Sequence, residues 1–443
     1  MFLACAVQGG YINIGYHLKP SSTLQQSKIM EKPRLVIAVS GCTGTGKTKL
    51  GIELAKKYNG EVISADSMQI YDGLDIITNT VTEEESDGVK HHCISYISPE
   101  EQYTVVKYLE HTLPIIEQIF EQGKIPIIVG GTAYYVEALL WEFTLYDQSK
   151  SSCDRSELNY DSLQILESDI LNDYEKLQQL DSVHAQTLHP KDSRKISRSL
   201  EIFREYGTCH STLLEKQHSE STDIRGNLRW DGALLFSIES DQQVLDKRLD
   251  FRVEKMLELG LCSELDMFSE KIESLDSGLL RQVIGFKEFE SYILLKRSKN
   301  VNPASLQDAL KEGIEKMKNV TRRYSRKQVR WIKNRLEDDK MCSNYVFNRL
   351  DSTYPEQWED VISTPVHIIM DQFLSGALQK TVSFTVRPQK TANRCQICDV
   401  TCIGDDSFSV HMKSRRHRRK KAYNLRKPIF EQHIAANKKK SLS

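Results

Sequence analysis

No stretch of the 443 residues approaches the roughly 18 consecutive apolar residues that a membrane-crossing helix needs. The longest apolar runs, Leu35–Val39 and Ile125–Val129, have the length of buried strands. Proline and glycine are scarce, 11 and 22 residues, which excludes a collagen-like or low-complexity chain. The ten cysteines form no framework, since only Cys395, Cys398 and Cys402 cluster, and that suits a reducing compartment with one metal site. Acids are scarce at both ends. The first thirty residues hold no Asp or Glu, carry Ser21, Ser22 and Ser27, and stop at Met30, itself a candidate second start. They read either as a mitochondrial targeting segment or as a plain extension; the first arginine comes only at Arg34. From Lys413 onward there are 12 Lys/Arg and a single acid, Glu431, so the overall net charge of -1 hides a core of net -12 and a polycationic arm. Such an arm fits a polyanionic partner.

What is present is an alternation. Leu35–Val39 reads as a strand, Gly41–Thr48 as a glycine-rich loop, Lys47–Tyr58 as a helix and Glu61–Ala65 as a strand. The rhythm repeats with a helix over Gln102–Gln122 expected to break near Pro114, a buried strand at Ile125–Val129 and a helix at Ala133–Trp141. Strands alternating with helices predict a parallel sheet covered on both faces. After a polar stretch at Tyr146–Ser162 only helical patterns follow until Leu234–Ile238 returns the chain to the sheet; Gln242–Leu259 and Leu279–Leu295 then read as helices. Ser305–Arg335 predicts a long helix with Ile314, Met317, Val320, Tyr324 and Trp331 on a packing stripe and Arg322, Arg326 and Arg330 on a cationic one. The expected organisation is an extension over 1–33, a catalytic core from 34–145 and 227–350, a helical insertion at 146–226, a connector at 351–390 with a further strand at Tyr345–Leu350 beside it, a zinc finger at 391–422 and a basic tail at 423–443.

Gly41-Cys42-Thr43-Gly44-Thr45-Gly46-Lys47-Thr48 fits the phosphate-loop pattern between a strand and a helix, the context that pattern requires. Gly41, Gly44 and Gly46 let the backbone N–H groups of Thr43, Thr45 and their neighbours converge on phosphate oxygens, Lys47 neutralises their charge, and the Thr48 hydroxyl can ligate Mg²⁺. The fold class that follows is α/β, a P-loop NTPase-like parallel sheet. An ATP- or GTP-hydrolysing enzyme would carry a second strand ending in Asp, yet Ile125–Val129 runs into Gly130-Gly131-Thr132. The acid at a strand end near the loop is Asp66, which reads as a general base or as a helix N-cap, with the adjacent loop favouring the base.

Cys395 and Cys398, then His411 after twelve residues and His417 after five more, have C2H2 zinc-finger spacing: a hairpin supplies two thiolates and a helix two imidazoles to Zn²⁺. Phe408 falls at the core aromatic position, Cys402 is off-pattern and read as a free thiol, and Arg415, Arg416, Arg418, Arg419, Lys420 and Lys421 make the finger's far end cationic.

The sequence resembles the tRNA dimethylallyltransferase (tRNA isopentenyltransferase) family, in the eukaryotic form that carries a finger. The resemblance runs from about Leu35 to Lys333 through Gly41–Thr48, Ser64–Tyr71 with Gly73-Leu74-Asp75, His91-His92, Val129–Thr132, His189-Pro190 with Asp192 and Arg198, Ile284–Glu288, and Thr321-Arg322 with Arg326 and Trp331. Lys90, Cys93 and the insertion near Ser151 depart from the pattern. The resemblance implies transfer of a dimethylallyl group from dimethylallyl diphosphate to N6 of the adenosine 3′ to the tRNA anticodon. The loop Gly41, Thr43, Gly44, Thr45, Gly46, Lys47 and Thr48 would hold the diphosphate, Lys47 and Thr48 with Mg²⁺ would stabilise it as it leaves, Asp66 would take the amine proton, and Thr132 would stand beside the target base. It further implies that Asp66, Ser67, Met68, Gln69, Arg194, Lys195, Arg198, Gln282, Gly285, Lys287, Arg326, Lys327 and Arg330 belong to stretches that contact tRNA, and Arg322 joins the cations expected to hold the anticodon stem. A monomer in the cytoplasm and mitochondrion, or the nucleus, is expected. The alternatives are a phosphate-loop kinase or NTPase with a nucleic-acid finger, against which the missing strand-end Asp speaks, and a non-enzymatic finger protein, against which intact Lys47, Thr48 and Asp66 speak.

Overall fold

The computed structural model describes residues 33–101, 103–142, 160–168, 170–220, 227–274, 282–298, 302–337, 344–376, 392–398, 400–403 and 405–424. The expected targeting segment with Met30, the polar start of the insertion around Ser151, residues 377–390 of the expected connector, residue 391 and the tail beyond 424 lie outside them.

Six strands form one all-parallel sheet: β1 (Leu35–Gly41), β2 (Gly60–Ser64), β3 (His91–His92), β4 (Ile125–Gly130), β5 (Gly232–Glu239) and β6 (Tyr345–Asp351), in the order β3-β2-β4-β1-β5-β6. The central strands are β-branched and apolar at consecutive positions because both faces are covered. Val36 and Ala38 of β1 pack under the helices Val105–Glu121 and Ala133–Leu140, whereas Ile37 and Val39 pack with Leu50 and Leu54 of Lys47–Tyr58. From β1 the chain leaves to one side for β2 and later joins β5 on the other, so the crevice at the carboxyl end of β1 is the topological switch point where α/β sheets bind ligands.

Four expectations change. Pro114 does not break its helix, which runs from Val105 to Glu121. The Thr104 side chain caps it by accepting from Lys107 N, and Tyr108, Ile116 and Ile119 bury one face, enough to outweigh the one hydrogen bond that proline removes. Leu279–Leu295 is not one helix. Residues 283–289 form turns around Gly285, with φ at 129°, and the helix starts at Glu290, while the helix Leu261–Ser274 was not foreseen. The long helix, Pro303–Arg335, buries Ala309, Gly313, Met317, Ser325, Gln328 and Ile332, leaving Trp331 49% exposed, because the seam against its neighbours selects small and polar side chains that an apolar count passes over. The connector read at 351–390 is, in its first half, part of the core: Trp358, Ile362, Val366, Met370 and Phe373 cover the same sheet face as Lys47–Tyr58. Between Tyr160 and Glu220 five helices enclose a small core of their own, including Leu177, Ile196, Leu200 and Phe203. The finger pairs β7 (Ala392–Cys395) with β8 (Val400–Ile403) antiparallel, followed by the helix Asp405–Lys413.

At the amino end of β2, away from the crevice, Glu61 is buried and accepts from His92 Nε2 at 2.6 Å and Lys124 Nζ at 2.5 Å, with Lys90 at 3.6 Å. Burial by itself would raise this carboxyl, but the hydrogen bonds from Lys124 and His92 and the charge of Lys90 outweigh it and bring it down to about 2. A depressed carboxyl stabilises the fold above its unfolded pKa of about 4.3 and loses that contribution as pH falls towards 2. Glu61→Gln should therefore cost about 1–3 kcal/mol at pH 7 and flatten the stability decline below pH 4.5, as urea unfolding across pH would show. An unchanged acid limb in the variant would remove Glu61 from that role.

Candidate functional site

β1 ends in Gly41 and the chain turns through Cys42–Gly46 into the helix Lys47–Tyr58. Gly46 is obligatory there: its φ is 94°, and a Cβ would sit 2.8 Å from the Trp358 ring. Trp358 is itself fixed by its indole N–H donating to Glu53 at 2.9 Å, so the unforeseen covering segment clamps the loop from below. Thr45 Oγ1 and Lys47 Nζ donate to the Cys42 carbonyl at 2.9 and 2.8 Å, folding the lysine over the loop. Burial pushes the Lys47 ammonium pKa down, Arg252 adds to that, and Cys42 and Asp66 oppose it. An anion in the loop would push it back up.

Two side chains from distant segments lock the loop. Gln328 accepts from Thr43 N at 3.0 Å and donates to the Gly131 carbonyl at 3.1 Å, joining the loop to the turn after β4. Arg252 donates to Thr43 Oγ1 at 2.7 Å; burial draws its pKa down to about 10 while Asp66 and Glu85 hold it up. Neither residue belonged to the expected site, nor did Tyr324. The available signals were a glutamine four residues after Tyr324 within an apolar stripe, and an arginine flanking the stripe Leu245, Leu249, Val253 and Met256. Across the crevice, β2 and β4 approach so closely that a Cβ on Gly130 would lie 2.1 Å from the Ala65 carbonyl oxygen. That approach brings Thr132 to Ser67, whose N–H donates to Thr132 Oγ1 at 3.1 Å. Asp66 lies between, its Oδ1 accepting from Met68 N at 3.0 Å in an Asx turn. This is neither an isolated base nor a helix cap: the turn orients the carboxylate, and Lys47 and Arg252 are within electrostatic reach. The Tyr324 hydroxyl is also there, its pKa pushed up by burial first and by Asp66 second.

These groups line one cleft of about 1790 Å³. Of the residues expected from the sequence, Thr43, Gly44, Gly46, Lys47, Thr48, Asp66, Ser67, Met68, Gln69, Thr132, Arg194, Lys195, Arg198, Gln282 and Lys327 line it, and Gly41 and Thr45 lie behind its loop. Gly285 is buried, packed against Ile77, and Lys287 is exposed away from the cleft. Arg322 and Arg326 also face elsewhere. Lys318, Arg322 and Arg326 pair with Glu254, Asp250 and Asp246 at 2.9, 2.5 and 2.5 Å, a ladder between two antiparallel helices that sets their register, so the two arginines are not the free cationic stripe the spacing implied. Arg330 is exposed and outside the cleft lining. The cleft is polarised along the long helix: Trp331, Lys327, Arg194, Lys195 and Arg198 at one end, core side chains such as Val253, Met256 and Met317 at the other.

In the finger, His417 Nδ1 lies 3.4 Å from Cys395 Sγ, 3.5 Å from Cys398 Sγ and 3.3 Å from His411 Nε2, and all four ligand atoms fall within 4.8 Å of one another. A tetrahedron with Zn–N near 2.05 Å and Zn–S near 2.3 Å has edges of about 3.3 to 3.8 Å, so these spacings fit a zinc ion and not a hydrogen-bond network. Cys402 stands outside the set, and the Phe408 ring stacks towards His411 at 6.4 Å.

Residues 69–335 match the IPP transferase family, 34–97 the isopentenyl transferase family and 394–417 a zinc finger of C2H2 type. The tRNA dimethylallyltransferase of Mus musculus is 37% identical over 399 residues, covering 86% of this chain and 85% of that protein. That of Saccharomyces cerevisiae is 33% identical over 424 residues, covering 89% and 94%. Among solved structures, a eukaryotic dimethylallyltransferase acting on tRNA superposes with a TM-score of 0.73 at 31% identity, covering 90% of this chain and 100% of that one. The full-length tRNA isopentenylpyrophosphate transferase of Bacillus halodurans gives 0.51 at 28%, covering 78% and 98%.

Two outcomes follow from the geometry. Arg252→Ala should weaken binding of inorganic diphosphate by about 10–100-fold, the worth of one hydrogen bond to a charged group; calorimetry showing undiminished affinity would place Arg252 outside the anion site. Cys395→Ser should lower bound zinc from about one ion per chain to almost none and unfold the finger, which elemental analysis checks; retained zinc would overturn the ligand set.

Proposed function

The chain belongs to the tRNA dimethylallyltransferase (IPP transferase) family, and on that premise we propose that its cleft transfers a dimethylallyl group from dimethylallyl diphosphate to N6 of the adenosine 3′-adjacent to the anticodon in tRNA. The observation that carries this reading is the union, in one cleft, of a clamped phosphate loop, a carboxylate across from it, an apolar end and a cationic rim.

The exocyclic amine of adenine is a weak nucleophile because its lone pair is delocalised into the ring. Asp66, oriented by Met68 N–H, takes the proton as the new C–N bond forms. Thr132, bonded to Ser67, stands where it can hold the base. On the opposite side the C–O bond to diphosphate breaks, and the growing negative charge meets Lys47, Arg252 and the loop N–H groups at the start of a helix. The Thr48 hydroxyl, an oxygen donor of the kind Mg²⁺ takes, would help hold that ion, which would supply further charge neutralisation. Tyr324 and Gln328 line the cleft beside Asp66 and the loop, where excluding water would keep the allylic diphosphate from hydrolysis. Arg194, Lys195 and Arg198, exposed at the start of the insertion helix Ser193–Tyr206, and Lys327, all at the cleft, meet the RNA phosphates in this reading. An unstacked base enters between them and Trp331. The finger's cationic helix adds a second, sequence-independent hold on the RNA backbone. A phosphate-loop kinase is disfavoured because β4 ends in Gly130-Gly131-Thr132 with no acid to hold metal and water.

The full chain incubated with bulk tRNA and labelled dimethylallyl diphosphate or labelled ATP should pass label to RNA only from the first. Asp66→Asn should slow single-turnover transfer by about 10²–10⁴-fold with diphosphate affinity nearly intact. A variant rate within about threefold of wild type would remove Asp66 as the base.

A further inference from the structure

The transferase family matches stop at residue 335, yet the phosphate loop is completed by a side chain beyond them. The loop carries Gly44 and Gly46 at φ of 83° and 94°, and glycine holds no conformation by itself, so each bend needs a neighbour to fix it. Thr43 is held by Gln328 and Arg252, and Leu245 and Leu249 lie against Gly44. Gly46 stands directly before Lys47 and Thr48 and rests on Trp358, whose ring carbons Cη2 and Cζ3 lie 2.8 Å from where a Cβ would be. Trp358 is buried and is not part of the cleft lining, so its effect on a ligand passes through Gly46.

The indole is fixed in turn by the helix that the loop starts. Glu53, on Lys47–Tyr58, accepts from Trp358 Nε1 at 2.9 Å and from Ser363 Oγ at 2.8 Å. Those two donors are five residues apart, and Glu359–Ser363 form a π turn closed by Thr364 N–H on the Glu359 carbonyl, whose five-residue repeat sets both donors on one side. Such single turns are rare and are found mostly at functional sites. Lys49 Nζ stands over the Trp358 ring, 4.4 Å from its centroid. The start of the segment is tied to the anion site as well: Arg248 donates to the Ser352 and Thr353 carbonyls, both at 2.8 Å, from the same helix that carries Arg252.

We propose that Trp358, gripped by Glu53 across the π turn, is a positioning residue for the diphosphate: it holds Gly46 in the left-handed conformation that aims the loop N–H groups at the anion before it arrives. The inference rests on the proposed placement of diphosphate at this loop and extends the working site to a segment that carries no reacting group. With the ring in place the loop is ordered in advance, which removes that cost from binding. Without it the ligand must order the loop, and this weakens ground and transition states alike, so KM rises with little change in kcat.

The test uses the full chain in three variants. Trp358→Leu should weaken binding of inorganic diphosphate by at least about fivefold in calorimetry, the scale on which ordering a short loop acts. The KM for dimethylallyl diphosphate should rise by the same factor, with kcat and the KM for tRNA within about twofold of wild type. Glu53→Gln keeps the ring but gives up the charge that both donors meet, and should weaken diphosphate by about threefold. Phe373→Leu loosens the same segment where it packs on Gly232, away from the loop, and should lower the melting temperature with diphosphate affinity unchanged. Affinity within about 1.5-fold of wild type in either of the first two variants overturns the seat, and Glu53→Gln decides alone if Trp358→Leu fails to fold. A fall in kcat with the donor KM unmoved also overturns it, since a smaller folded fraction produces that pattern. So does an equal loss of affinity in Phe373→Leu. Wild type that binds diphosphate yet transfers no dimethylallyl group is a different result, which sinks the reaction and leaves the calorimetric test of the seat intact.

Discussion

The side-chain amide of Gln328 holds the site together. It is buried, it accepts from Thr43 N in the phosphate loop, and it donates to the Gly131 carbonyl after β4, so one residue of the long helix bridges two sheet strands that carry the reacting groups. The bond to Gly131 is buried and that from Thr43 partly so, and an unpaired buried amide or carbonyl there would cost about 1–3 kcal/mol. The loop therefore has one low-energy position relative to Thr132 and Asp66. A Cβ on Gly131 would come within 2.4 Å of the Gln328 nitrogen, which leaves no room for a substituted turn.

That junction explains the arrangement of the helices around it. The long helix must present Gln328 at the sheet and also form a wall of the cleft, and the ion-pair ladder to Gln242–Glu258 fixes its register for both tasks. Each pair is half-exposed and worth little by itself, about 0–1 kcal/mol. Their value is positional: with Lys318, Arg322 and Arg326 matched to Glu254, Asp250 and Asp246, Arg252 falls opposite the phosphate loop and Met256 and Met317 join one cluster in the cleft wall. Cations that look free in one dimension are spent on holding two helices in line.

The cleft's polarity is the consequence that matters for chemistry. A cationic rim on the insertion and on the far end of the long helix suits a polyanion, while the opposite end is built from core side chains and suits a short hydrocarbon. The phosphate loop and Asp66 lie between the two, which under the proposed reaction puts the diphosphate at the loop and the RNA base at the cationic rim.

Much of this was legible in one dimension. The phosphate loop, Asp66 at a strand end, the Gly130-Gly131-Thr132 turn and the zinc ligands depend on residues close together in sequence, where local geometry ties residue type to chemistry: only glycine adopts the φ of Gly46, and only a C-x2-C and two spaced histidines reach one tetrahedral ion. The alternation of buried strands with helices likewise predicted the parallel sheet. What tertiary structure alone decided were the pairings across long separations. Arg252 and Gln328 reach Thr43 over more than two hundred residues, Trp358 seats Gly46 from a segment that read as a connector, and Arg322 and Arg326 pair with acids of a neighbouring helix. A sequence pattern records which face of a helix is apolar or charged, but the partner of that face is set by packing the whole chain, and so the apolar part of the cleft wall exists only once Ile77, Gly285 and Met317 have been brought together.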